Sequence, residues 1–185
     1  MKTEQLAALM SLLHVPLVGA YKARNLVTTI HEIKDIFTLS ETDLCRVDGI
    51  DVKTAEQIRN NYDLDLGQEE LEKAAKSGVT ILSLWDKEFP YLLKKIYAPP
   101  AVLYCRGLPM PTKEDCIAIV GTRAITPYGR SVTKQLAADF SVAGLTIVSG
   151  MARRIDTVAH KATLEAGGGA DHYCRIGLWC GLRLS

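Results

Sequence analysis

Two loops in the second half of the sequence carry the residues best suited to bind an anion. The first, GTRAITPYG, places Arg123 shortly after Gly121, and the second, SGMARRID, begins with Ser149 and Gly150. A guanidinium can form paired hydrogen bonds with a phosphate, and a helix N-terminus favours negative charge. Tyr128 adds a ring on which a base or sugar can stack. A surface charge at Arg123 and a helix cap at Ser149 are the structural alternatives.

Neither loop matches the common nucleotide-binding motifs. Gly121 is followed by Thr122 and Arg123, and the next glycine is Gly129, so the pattern G-x-G-x-x-G is absent. The pattern G-K-[ST] does not occur in the chain either. These absences argue against a dinucleotide-dependent dehydrogenase and against a Walker-type ATPase. We therefore predict no cofactor.

Residues for acid–base catalysis or metal binding are poorly represented. Asp156 and His160 lie one helical turn apart, a spacing more typical of a hydrogen bond on a helix surface than of catalysis. No serine or cysteine nucleophile is placed with them. The five cysteines are an odd number without a C-x-x-C pair, which indicates reduced thiols. We predict no catalytic residue and no metal site.

The segments around the two loops alternate between strand and helix patterns. The apolar runs CIAIVG and LTIVSG are each followed by an amphipathic helix, the first with Val132, Leu136 and Phe140 aligned. This alternation predicts βαβ units and a parallel sheet buried on both faces. Ligands bind at the carboxyl ends of such strands, where both loops lie. Upstream, VTILSLW and AVLYCRG are two further predicted strands.

The first seventy residues have the pattern of short helices, with Thr3 and Ser40 as predicted N-caps and a turn at Asp48–Gly49. They resemble the helix-hairpin-helix pattern, in which two glycines let the backbone approach a DNA phosphate. Here Asp51 stands where the second glycine is expected. We therefore expect packing or a partner contact, rather than DNA binding, from this segment.

Charge is distributed unevenly, although the net charge is only +1. Residues 1–70 hold seven basic and twelve acidic residues, whereas residues 116–168 hold six basic and three acidic ones. The positive excess therefore coincides with the two loops, and phosphate binding depends on cations. No long apolar run or signal-peptide pattern is present, so we predict a cytoplasmic protein without a membrane partner.

The ordered motifs Val-Gly-Thr-Arg, Thr-x-Tyr-Gly, Val-Ser-Gly-x-Ala-Arg, Ile-Asp and Ala-His resemble the DNA-processing protein A family (DprA/Smf), as does the upstream segment GVTILSLWDKEFPYLLKKIYAPPAVLYCRG. The resemblance implies an extended Rossmann-like domain that binds single-stranded DNA, forms a homodimer and loads the RecA recombinase during natural transformation. It also implies a binding protein rather than an enzyme. The positions implied to contact nucleic acid are Gly121, Thr122, Arg123, Ser149, Gly150, Arg153 and, as a weaker candidate, Lys161.

The predicted fold is α/β, in three segments. Residues 1–68 form an all-α helical hairpin domain of SAM-like or helix-hairpin-helix type. Residues 69–168 form the first part of an extended Rossmann-like domain with a doubly wound parallel sheet. Residues 169–185 form an aberrant tail.

Two departures from the family pattern affect these expectations. The family has Ala-Arg-Gly-Ile-Asp where this chain carries Arg154 in place of the glycine, and a glycine there permits an unusual backbone angle. After Gly168 the chain ends in GADHYCRIGLWCGLRLS, which suits neither a strand nor a cap. We expect a truncated form with reduced or no activity, without the dimer surface.

For the tail we hypothesise a frameshift. Permitted codons read one base later from Ala170 can spell Arg-Thr-Ile-Thr-Ala-Val-Leu-Gly-Cys-Gly, which is family-like. A metal site formed by His172, Cys174 and Cys180 is the alternative. For the whole chain, the alternative function is a Rossmann-like hydrolase that releases the base from a nucleoside monophosphate, although its Pro-Gly-Gly-x-Gly-Thr signature is absent. A remnant without activity is a third hypothesis.

Overall fold

The computed structural model describes residues 1–107, 116–122, 124–150 and 152–167, and the backbone of residues 173–175. The chain divides into two compact units, Met1–Gly107 and Leu108–Ser185. The predicted domain ranges divide the chain at 68/69, a position inside one continuous helix, and they stay a prediction.

The first unit combines short helices with a β-hairpin. Its helices are α1 Thr3–His14, α2 Ala20–Thr29, a 3₁₀ helix Ile33–Phe37, α3 Glu41–Leu44, α4 Val52–Asn60, α5 Leu64–Lys76 and α6 Tyr91–Lys94. Its strands are β1 Val79–Ser83 and β2 Val102–Arg106, which pair antiparallel from Val79↔Arg106 to Ser83↔Val102.

The core of the first unit is the shared apolar face of its helices. Its fully buried side chains include Leu9, Leu12, Leu26, Leu44 and Ile58. Burying one such side chain contributes about 1.5–3 kcal/mol, so the apolar spacing in the sequence accounts for the assembly of these short helices.

The two predicted N-caps of this unit have different outcomes. The Ser40 hydroxyl accepts a hydrogen bond from the Asp43 N–H, as expected of a cap. The prediction for Thr3 is wrong, because α1 begins at Thr3 itself and Lys2, which makes no side-chain capping bond, occupies the cap position.

The second unit contains a parallel sheet of order β3-β4-β5, with β3 Cys116–Ala118, β4 Thr146–Ser149 and β5 Tyr173–Arg175. Helix α7, Pro127–Val142, connects β3 to β4, and helix α8, Ile155–Glu165, follows β4. The two helices pack on each other and on β4, with Ala137, Ile147 and Ala159 fully buried. The predicted parallel α/β arrangement is confirmed.

Strand β5 corrects one expectation about the tail. We expected residues 169–185 to be unsuited to a strand, yet Tyr173–Arg175 pairs with Ile147, Val148 and Ser149 of β4. The pairing uses backbone N–H and C=O groups, which every residue except proline carries in full, so side-chain composition did not prevent it.

Candidate nucleic-acid interface

The loop after β3 approaches the start of α8 so closely that it requires a glycine. A Cβ atom built on Gly121 would lie 2.7 Å from both Ile155 Cγ1 and Ile155 Cγ2. The loop then turns at Thr122, whose Oγ1 accepts a hydrogen bond from the Ala124 N–H at 3.0 Å. Gly121 and Thr122 are both exposed. The side chain of Arg123 lies outside the described residues, so its phosphate contact stays a prediction.

Helix α7 begins within the segment that was predicted to be a loop up to Gly129. Thr126 is the N-cap, its Oγ1 accepts from the Gly129 N–H at 3.0 Å, and Pro127 is the first helical residue. Tyr128 therefore stands in the first turn of the helix, 79% exposed. Threonine followed by proline is a recognised helix start, so the sequence does contain a local signal for this earlier boundary.

A cleft of about 290 Å³ lies beside this helix start. Gly121, Thr122 and Tyr128 line one part of it, and the remaining wall is mainly apolar, formed by Ile119, Val120, Val132, Leu136 and Ile155. An apolar wall next to the exposed Gly121–Thr122 turn suits a base or sugar that lies beside a phosphate.

The loop after β4 is occupied by the protein's own groups. Ser149 is buried and its hydroxyl donates to the Ile119 carbonyl at 2.7 Å, which ties the ends of β3 and β4 together. The buried Asp156 carboxylate accepts from the Ala152 N–H at 3.0 Å and lies 3.4 Å from the position of a Cβ on Gly150. A carboxylate already stands at the N-terminus of α8, which weakens its attraction for a second anion.

Asp156 and His160 do not lie on the helix surface, where their spacing suggested a pair. Both side chains are buried, and the Asp156 carboxylate accepts a hydrogen bond from the Ala152 N–H. Asp156 therefore has a structural role in closing the loop onto α8.

The basic residues of this loop differ in position and in backbone conformation. Arg153 and Arg154 are both exposed, directly before α8. Arg154 has φ 94° and ψ −107°, a conformation that favours glycine, at the very position where the family pattern has one. Lys161 is exposed but lies six residues into α8, about 9 Å along the helix axis from its first residue. The structure therefore groups Arg153 with the loop and separates Lys161 from it.

The turn at Asp48–Gly49 in the first unit is stabilised by side chains of α2. Gly49 has φ 82°, and a Cβ there would meet the Tyr21 ring at 3.0 Å. The Tyr21 hydroxyl donates to the Asp48 carboxylate at 2.6 Å, and Asn25 donates to the Asp48 carbonyl at 3.0 Å. Gly49 itself remains exposed, so the expectation of packing rather than DNA binding stays a prediction.

Asp51 adds a negative charge to the same turn. Its carboxylate caps α4 by accepting from the Thr54 N–H at 2.9 Å and from the Thr54 hydroxyl. These hydrogen bonds hold the pKa of Asp51 below its ordinary value.

Within the described part of the chain, no helix is long and apolar enough to cross a membrane, and no group of three or more histidine, cysteine, aspartate or glutamate residues is placed to hold a metal ion. Of the alternative metal ligands, His172 and Cys180 lie outside the described residues, and only the backbone is described at Cys174.

Comparison with known families matches both halves of the chain. Residues 80–171 match the family model of DNA recombination-mediator protein A, and residues 9–60 match that of the SAM-like helix-hairpin-helix tandem. The DNA processing protein DprA of Bacillus subtilis is 39% identical over 94 residues, which cover 50% of this chain and 32% of that protein. Protein Smf of Synechocystis is 30% identical over 159 residues, which cover 82% of this chain and 39% of that protein.

A solved structure shows the same fold. The crystal structure of DNA processing protein A from Streptococcus pneumoniae superposes with a TM-score of 0.66 at 22% identity, covering 91% of this chain and 56% of that one. The chain spans about a third of the length of the curated relatives it matches. By its motifs, its fold and these matches, the chain belongs to the DNA-processing protein A (DprA/Smf) family.

Proposed function

We propose that this chain binds single-stranded DNA through the loop after β3 and the N-terminus of α7, and that it takes part in delivering that DNA to the RecA recombinase in natural transformation. The observation that carries the proposal is the exposed Gly121–Thr122 turn beside a helix start with a neutral cap and an exposed Tyr128. The names of the matching family and relatives, DNA recombination-mediator and DNA processing protein, support it.

The physical requirements of single-strand binding fit this surface. Such binding needs cations or N–H groups for the phosphates and flat faces for the bases, and it needs neither a nucleophile nor a metal. Arg123 would supply the cation, the positive end of the α7 dipole an additional attraction, and Tyr128 with the adjacent cleft the flat face. The excess of basic over acidic residues between 116 and 168 has the appropriate sign.

The loop after β4 has a smaller part in this proposal. Arg153 is exposed there and can reach a phosphate, whereas Ser149 is buried and holds β3 to β4. We propose that Ser149 and Gly150 shape the loop and that Arg153 makes its contact. Lys161 would add only a distant attraction.

The decisive experiment measures the affinity of the chain for a labelled oligodeoxythymidylate at several salt concentrations. The Arg123→Ala variant should bind more weakly, with a slope of log K against log salt reduced by about 0.7, the value for one phosphate contact on a single strand. Arg46→Ala is the matched control, because Arg46 is an exposed arginine within the acidic residues 1–70. Equal affinity in all three proteins would remove the proposed role of Arg123.

The finer parts of the proposal have their own tests. Delivery to RecA predicts that the chain speeds RecA filament formation on protein-coated single strands. Homodimer formation is measured by sedimentation. Release of a free base from nucleoside monophosphates would identify the hydrolase instead.

A further inference from the structure

The connection between β1 and β2, residues 84–101, exposes an unusual set of large side chains. Tyr97 is 99% exposed, Tyr91 53% and Trp85 36%, and Leu92 and Ile96 are exposed as well. Large apolar side chains exposed together along one segment often mark an interaction site. This segment, which we call the aromatic connection, belongs to the first unit.

The backbone of the aromatic connection is held in place rather than loose. Its ends are joined by the Leu84 N–H, which donates to the Ala101 carbonyl at 2.9 Å. Asp86 accepts from the Ser83 N–H at 2.7 Å, and Lys94 Nζ donates to the Asp86 carbonyl at 2.7 Å. Phe89 is buried and anchors the middle. The exposed rings are therefore presented on an ordered support, which lowers the entropy cost of binding.

Charge around the rings favours a polyanion. Lys95 Nζ stands 4.1 Å from the centroid of the Tyr91 ring, and Lys87 is exposed nearby in sequence. Across residues 1–107, no carboxylate forms an ion pair with Lys87 or Lys95. The Asp86 carboxylate is engaged by Ser83, which leaves Glu88 as the exposed acidic residue of the connection.

We infer that the aromatic connection is a second binding surface for single-stranded nucleic acid. Bases stack on Tyr97 and Tyr91, and Lys95 and Lys87 neutralise the phosphates between them, the combination that sequence-tolerant single-strand binding uses. Lysines without carboxylate partners beside exposed rings fit this occupant better than a protein surface, whose centre excludes lysine. The inference rests on the proposed function but uses none of the residues assigned to it.

The test titrates the 185-residue chain and its variants with labelled oligodeoxythymidylate. Tyr97→Ala should lower the affinity about fivefold or more, the effect of losing one stacked base, and Tyr97→Phe should restore it because the ring is kept. Lys95→Gln should reduce the salt slope by about 0.7. Val52→Ala, which also shortens an exposed apolar side chain of the first unit, is the control and should bind as the parent does.

A second readout follows Trp85 directly. In a Trp179→Phe background Trp85 is the only tryptophan, and its fluorescence should be quenched by the oligonucleotide. If the parent binds but Tyr97→Ala binds equally well and Trp85 is unquenched, the inference fails while the proposed function stands. If the parent itself does not bind, the proposed function fails. A change of sedimentation with unchanged DNA affinity in Tyr97→Ala would assign the surface to a second copy of the chain and overturn the inference.

Discussion

The turn at Asp48–Gly49 and the loop after β3 share one local design, an exposed glycine shortly before a helix start, yet they differ in the charge of the helix cap. At Gly49 the Tyr21 ring lies close to the glycine, and the Asp51 carboxylate caps the following helix. At Gly121 the turn is exposed, and the next helix is capped by the neutral hydroxyl of Thr126.

The difference shows that a glycine and a helix N-terminus do not by themselves make an anion site. A cap with a full negative charge already satisfies the helix dipole, whereas a hydroxyl cap leaves the partial positive charge available. The loop after β4 is intermediate: its backbone is partly exposed, but Asp156 occupies the N-terminus of α8. Ligand binding is therefore expected first at α7.

The largest effect is expected from filling the glycine of the open loop. Gly121→Ala places a Cβ at 2.7 Å from Ile155, and overpacking of this kind costs about 1–3 kcal/mol of unfolding free energy. Chemical denaturation measures it. Gly150→Ala is the control, because its Cβ would meet Asp156 at an ordinary 3.4 Å and should change stability by less than about 1 kcal/mol. Equal losses in the two variants would contradict the close approach at Gly121.

The role of cap charge can be tested by giving α7 the cap that α4 has. Thr126→Asp keeps a good N-cap but adds a negative charge, so we expect the helix to persist while oligonucleotide affinity falls about tenfold. Circular dichroism and fluorescence anisotropy measure the two quantities. Thr126→Ser, which keeps a neutral cap, should bind normally; a Thr126→Asp protein that also binds normally would show that cap charge does not distinguish the two regions.

Removing the backbone strain at Arg154 should stabilise the protein, whereas Gly121→Ala should destabilise it. Because Arg154 has φ 94°, replacing it with glycine should raise the free energy of unfolding by about 1 kcal/mol. Arg153→Gly removes the same charge at a position outside the positive-φ region and should bring no gain. Thermal and urea unfolding measure both, and a less stable Arg154→Gly protein would refute the prediction.

The smallest effect is the pH dependence of stability at the Asp51 cap, next to the Asp48–Gly49 turn. The hydrogen bonds to Thr54 lower the pKa of Asp51 in the folded state, so its contribution to stability is present above the ordinary aspartate pKa of 3.8 and is lost as pH falls through the folded value. Asp51→Asn keeps a capping oxygen and should show a shallower loss of helicity below about pH 4. Identical acid titrations of the two proteins would argue against this role.

Much of the fold was predictable because it depends on local patterns. Apolar spacing placed the helices, the runs CIAIVG and LTIVSG placed β3 and β4, and the order of motifs placed the candidate loop at a strand end. Each of these depends on residues within one or two turns of one another, which is the range over which propensity and periodicity act. The start of α7 at Pro127 was also predictable from the sequence, because Thr126 is a local N-cap signal.

Tertiary structure alone decided which distant side chains meet at these loops. Nothing near Gly49 in the sequence shows that the distant Tyr21 lies against it, and nothing in Ser149 shows that its hydroxyl bonds to Ile119 across the sheet. Likewise the sequence shows Arg154 only as a charged residue, whereas its backbone in the fold is strained. The sequence determined the elements and the types of residue at their ends. Contacts between residues far apart along the chain determined which side chains surround those ends, because such partners come together only when the chain folds.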